Sequence, residues 1–252
     1  MNIELNFSWL EAVMLASVRM IAFLMLAPPF SHNSFPLRVK GMLAIGLALA
    51  VAPQATKGYT SPDVGAFIVS LLVELVVGAM LGFLVMVVFS AIQSAGNLID
   101  LFGGFQLAQA FDPGSMINGA QFSRMFHMTA IALLFVSGGY QLIIGGLTRT
   151  FTALPIAGHL DLAAPVHAIT ASIGQMLLAA LQIAGPLIVV LFLADAGLGL
   201  LTRVAPALNA FALGFPLKIL VTLTLVSISF VALPRIVDSL AGNAVGLITG
   251  VR

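Results

Sequence analysis

Apolar runs long enough to cross a bilayer constrain this chain more than any other feature. Six of them cover most of the sequence, at roughly 9–30, 41–53, 64–92, 127–147, 171–200 and 211–233. A membrane-crossing helix needs about 20 apolar residues, and the first, fourth, fifth and sixth runs meet that length. The second run, Gly41 to Pro53, is short and reads as a re-entrant or protein-buried helix. The third is too long for one crossing. Only 8% of residues are charged and 60% are hydrophobic, against about 25% charged in an ordinary soluble domain. A water-exposed monomer and a disordered chain are both excluded.

The polar residues mark the breaks. Pro28-Pro29 ends the first run, because the second ring lacks an N–H and the first restricts Ala27. Pro53 is expected to close the second run, and Pro206 and Pro216 to break the helix near the end of the chain. The turn-rich stretch Phe111 to Gly119 is the longest interruption. Basic residues on alternate connections number nearly the same on both sides, so the positive-inside rule gives no orientation. With the short second run, this argues against a simple six-span topology. The expected fold is all-α, one unit over residues 1–252, built of helical hairpins.

Chemistry is mostly excluded. There is no cysteine, hence no thiolate metal site, iron–sulfur cluster or thiol nucleophile. No nucleophile elbow, phosphate loop or zinc-binding helix motif is present, and the four histidines never fall at a helical metal spacing. The reading is a non-enzyme with no cofactor and no metal site. A net charge of +1 with scattered basic residues gives no nucleic-acid footprint. The acidic N-terminus lacks the basic start of a signal peptide, so the first apolar run is expected to stay in the protein.

Three polar features stand out. On a continuous helix, Glu74, Gly78, Gly82, Gln93, Gly96, Asp100 and Gly103 occupy roughly a quarter of the circumference at about 100° per residue. Lipid would not tolerate that stripe, since an acid at the bilayer centre costs about 2.5–3.5 kcal/mol. It must face protein or water, either as plain helix packing or as a helix in an assembly around a wet path. Gly78/Gly82, Gly242/Gly246 and Gly246/Gly250 have the spacing of close helix contacts. Asp195 and Arg203 lie two turns apart, too far for a direct pair; either both serve a partner subunit or Asp195 is a buried, hydrogen-bonded helix residue. Residues Gln106 to Ser123 form either a plain connection or a cavity-lining plug, with Phe111, Met116, Ile117 and Phe122 as its apolar tip. Phe35-Pro36-Leu37-Arg38 and Phe215-Pro216-Leu217-Lys218 echo each other, by chance or as two related hairpins.

Several blocks in order resemble one known family. They are Ala27-Pro28-Pro29-Phe30-Ser31 with Phe35-Pro36-Leu37-Arg38, Glu74 to Gly78 with Leu81-Gly82-Phe83, and Ala95-Gly96-Asn97-Leu98-Ile99-Asp100 before Phe111-Asp112-Pro113. Thr150-Phe151 and Leu154-Pro155 follow, then Gly199 to Arg203, Pro206, Asn209 and Leu213 to Lys218. Together they resemble the FliR family of flagellar biosynthetic proteins, the T component of virulence type III export gates. Two positions depart from the family pattern. Gly138-Gly139 is followed by Tyr140 where a histidine is common, and Ala207 stands where a glutamine is usual.

The resemblance implies a non-enzymatic gate subunit that assembles with FliP-like and FliQ-like subunits, with an FlhB-like subunit as a further partner. The complex would carry unfolded proteins through a channel at the bacterial inner membrane, within the flagellar basal body and enclosed by its ring. It implies a P-like part at about 1–185 and a Q-like part at about 186–252. It also implies a plug containing Phe111, Asp112, Pro113, Gly114, Met116, Ile117, Gly119 and Phe122. Subunit contacts are expected at Asp195, Arg203, Asn209 and Lys218, and helix packing or lumen contact at Glu74, Gly78, Gly82, Gly96 and Asp100. The competing reading is a self-contained secondary transporter using Glu74, Asp100 and Asp195.

Overall fold

The computed structural model describes residues 7–32, 34–106, 120–156, 163–205 and 210–250. Among them there are seven helices and no strand: α1 Phe7–Leu26, α2 Leu37–Ala55, α3 Val64–Phe102, α4 Gln121–Val136, α5 Gly139–Ala153, α6 Ala163–Val204 and α7 Ala210–Gly250. Five are long and apolar enough to cross a membrane, and the bent pair α4 and α5 makes a possible sixth. At 39, 42 and 41 residues, α3, α6 and α7 would each be about 58–63 Å long. That is about twice the thickness of a hydrocarbon core.

The second apolar run differs from its sequence reading. α2 has 19 residues, not 13, because Leu37-Arg38-Val39-Lys40 joins the helix and Pro53 sits inside its last turn. Pro36 precedes the first helical residue at φ −58°, an angle its ring already imposes. Nor is α2 a buried helix: Leu37, Val39, Met42, Leu43, Ile45 and Leu49 are all exposed. Pro216 does not break a helix either. It lies within α7, as does Pro234, while Pro186 lies within α6. The Phe-Pro-Leu-basic echo therefore has unlike settings, a helix start at Pro36 and a helix interior at Pro216.

The chain divides into two compact units. The first holds Met1–Val88, Leu134–Ile173 and Ser239–Arg252; the second holds Phe89–Leu133 and Gly174–Asp238. In the first unit α2 packs on α1 and also meets α5. Phe30, Phe35, Phe135 and Tyr140 form a run of ring contacts there, with Phe35 stacked on Phe135 at 6.3 Å. Asp63 opens α3 by accepting the Ala66 N–H. Gly138, at φ 74°, supplies the left-handed step between the end of α4 and the start of α5.

In the second unit, α6 and α7 are poorly covered. Only 22% and 17% of their apolar windows are buried. Leu193, Leu200, Leu220 and Ile228 are more than half exposed. Surfaces of this kind require lipid or another protein against them.

Candidate functional site

In the first unit the polar stripe of α3 meets α1. Gly78 and Gly82 have no side chain, and the α1 backbone lies where one would be. A Cβ on Gly78 would strike the Arg19 carbonyl oxygen and lie 2.9 Å from the Ala22 Cβ. On Gly82 it would lie 2.8 Å from the Phe23 carbonyl oxygen. This close approach brings Arg19 to Glu74. The guanidinium donates from Nη2 to Glu74 Oε1 at 2.9 Å and from Nε to Oε2. Nη1 donates to the Leu154 carbonyl at 3.0 Å, at the C-terminal end of α5 where a cation is favoured. The Phe151 ring covers the guanidinium at 4.2 Å. Both charged side chains are 1% exposed.

In the second unit the same stripe seats the start of α4. Asp100 is fully buried. Its Oδ1 accepts the Phe122 N–H and its Oδ2 the Ser123 N–H, each at 3.1 Å. Ser123 Oγ donates to the Gln93 carbonyl at 3.1 Å. Gly96 makes room for this: a Cβ there would collide with the Ser123 backbone. One residue type thus serves two different helix contacts along a single helix. Gln93, which shares the stripe by sequence, is exposed and contributes through its backbone.

Further contacts lie near Asp100, at the end of α3 and the start of α4. Phe105 meets Phe122 edge-on at 5.0 Å. Phe122 is therefore not at a tip; it is the second residue of α4 and is buried. Gly104 takes φ 81° beside Phe215. Gly103 packs against Thr222, whose buried hydroxyl has no hydrogen-bond partner among the described residues. Phe111, Asp112, Pro113, Gly114, Met116, Ile117 and Gly119 lie outside the described residues.

Asp195 on α6 pairs with Lys218 on α7 at 2.7 Å. Arg203 is exposed in the last turn of α6, and Asn209 lies outside the described residues. The sequence reading grouped Asp195 with Arg203 and missed its pairing with Lys218, because the helical hairpin, not the helix register, creates that contact. It also passed over Arg19. The available signal was a lone arginine inside a 20-residue apolar helix, which requires a buried partner. Gly242, Gly246 and Gly250 have open space around them in this chain. No group of three metal-ligating side chains occurs among the described residues.

The class this defines is an α-helical protein of the membrane type, whose buried charges tie its helices together. The chain belongs to the family described as Bacterial export proteins, family 1, which it matches over residues 10–244. It is 34% identical over 221 residues to the flagellar biosynthetic protein FliR of Escherichia coli (strain K12), covering 87% of this chain and 84% of that one. It is 27% identical over 218 residues to FliR of Bacillus subtilis (strain 168), covering 84% and 83%. To the Yop proteins translocation protein T of Yersinia pestis it is 31% identical over 180 residues, covering 70% and 69%.

Proposed function

We propose that this chain is a structural pore and gate subunit of a type III protein export apparatus, of the flagellar kind. Membership of the export family and the relatives' names support the export role. The observation that carries the choice of a structural subunit over a transporter is the state of the three acids a carrier would use. Glu74 is held by Arg19, Asp100 by the start of α4, and Asp195 by Lys218. A carrier needs such groups open to solute or protons; here Glu74 and Asp100 are buried against helix-tying partners, and Asp195, half-exposed, is engaged by Lys218.

In this proposal the chain joins FliP-like and FliQ-like subunits in a cone at the inner membrane within the basal body, next to an FlhB-like subunit. Residues of about 1–185 take the P-like place and 186–252 the Q-like place. The uncovered apolar faces of α6 and α7 suit neighbouring subunits, with Asp195, Arg203, Asn209 and Lys218 at the contact. Residues 106–122 serve as the plug, with Phe111, Met116 and Ile117 as its apolar filling and Asp112-Pro113-Gly114 as its turn. Closure needs little energy: a 99:1 preference is about 2.7 kcal/mol, comparable to burying one or two large apolar side chains.

The test is co-expression of the tagged chain with the P-like and Q-like proteins of its own bacterium. The expected result is a stable complex containing all three, with the chain alone poorly recovered. A chain that is stable alone, ignores both proteins and accumulates a solute in vesicles would favour the transporter.

A further inference from the structure

The hairpin of α1 and α2 has helices of 20 and 19 residues, about 30 and 28 Å long at 1.5 Å per residue. The hydrocarbon core of a bilayer is about 30 Å thick, whereas α3, α6 and α7 are about twice that length. The hairpin's charges sit at its ends or inside it. Arg38 is exposed at the start of α2 and Lys57 just beyond its end, and Lys40, the one charge between them, is buried. In α1, Arg19 is buried on Glu74, and Glu11 lies in the first part of the helix. Tyr59 donates its hydroxyl to Glu11. This brings the end of α2 beside the start of α1, where Trp9 is exposed. A tryptophan and a tyrosine so placed suit the water boundary of a bilayer. Side-chain size follows the same logic. The buried side of α2 carries Ala44, Ala48, Ala52 and Ala55, while Met42, Leu43, Ile45 and Leu49 are exposed. Helices packed in hydrocarbon turn small residues toward each other and leave the large apolar ones outside.

We infer that the outer face of the α1–α2 hairpin is a lipid-contact surface. Met14, Met42, Ile45 and Leu49 lie among acyl chains. Trp9 and Tyr59 mark one headgroup boundary. Arg38 marks the other, where its guanidinium meets lipid phosphate oxygens. Two observations favour lipid over a neighbouring protein as the occupant. The helices match a bilayer in length, and the exposed face of α2 carries no charge between Arg38 and Lys57. A protein partner imposes neither requirement. The inference does not lean on the export role.

The chain has no cysteine, so the single variants Met14→Cys, Met42→Cys, Ile45→Cys, Leu49→Cys and Lys57→Cys can each carry one nitroxide label. The labelled full chain is assembled with cysteine-free P-like and Q-like partners in vesicles of phosphatidylethanolamine and phosphatidylglycerol. Collisions of the label with oxygen, which dissolves in acyl chains, are compared with those of a water-soluble nickel chelate. At the four apolar positions oxygen collisions are expected to exceed nickel collisions several-fold, and at Lys57 the order should reverse. Labels at Met42 and Ile45 shielded from both reagents mean that a protein covers this face, and nickel-dominated labels mean water; either result overturns the inference. If no complex forms, the labelled chain alone in the same vesicles carries the test, with the same result expected and the same two results against it. Trp9 is the only tryptophan, so the unaltered chain in vesicles gives a second measurement. Lipids brominated near the headgroup should quench its fluorescence several-fold more than lipids brominated near the chain end. Quenching by neither, or more by the deep set, overturns the placement of that boundary and the inference with it.

Discussion

A Cβ on Gly78 would land on the Arg19 carbonyl oxygen, so even alanine there must push α1 off α3. The displaced helix would carry the guanidinium away from Glu74. Gly78→Ala is expected to lower the thermal stability of the detergent-solubilised protein markedly. Gly242→Ala meets open space and should be neutral or gain up to about 1 kcal/mol of helix propensity. Arg19→Leu or Glu74→Gln alone leaves the other charge buried and unpaired, which costs about 3–5 kcal/mol. The double replacement Arg19→Leu, Glu74→Leu should recover most of that loss, as read from the yield of folded protein. Tyr59, in the turn after α2, gives a pH signature. Burial and the Glu11 carboxylate that accepts its hydroxyl at 3.3 Å push its pKa from 10.0 up to about 12. The folded state keeps this proton where the unfolded state has released it. The contribution to stability is thus full below about pH 10 and lost as pH rises toward 12. Alkaline titration of the phenolate absorbance should show one of the two tyrosines ionising near pH 12, and Tyr59→Phe should remove that step.

At the scale of elements, α3 was the most legible. Its glycines and acids recur on one face, and the structure puts close helix contacts along that face. What the sequence did not reveal is that the upper part, Glu74 to Gly82, meets α1 while Gly96 to Gly103 meet the start of α4 and α7. Periodicity identifies a face and is silent about what covers it. Boundaries failed where proline was read as a stop. At a helix start the missing N–H costs little, as at Pro36, whereas Pro53 in the last turn of α2 and Pro216 within α7 show that a helix can carry the ring inside at the loss of a hydrogen bond. The α6–α7 hairpin carries its own prediction. Lys218→Glu places a carboxylate against Asp195 where the parent has a 2.7 Å pair. A half-exposed pair contributes only about 0.2–1 kcal/mol in water, so the chain should still fold. Co-purification with the P-like and Q-like subunits should nevertheless fall, because the charge pattern at that contact is inverted.

On the whole-molecule scale, composition alone separated this chain from soluble proteins, and the ordered blocks from Pro28 to Lys218 pointed to the export family it belongs to. The pairings of Arg19 and Lys218 were not legible, because ion pairs 55 and 23 residues apart in sequence depend on tertiary packing. The account makes the molecule an incomplete object. Its buried acids Glu74 and Asp100 are satisfied within the chain, while the apolar faces of α6 and α7 are left to others. The most direct test is to delete this chain's coding sequence from its own bacterium and measure flagellar proteins exported to the medium, with and without the restored chain. The account predicts that export stops on deletion and returns with the restored chain. Undiminished export in the deletion strain, with its flagella still assembled, would contradict it.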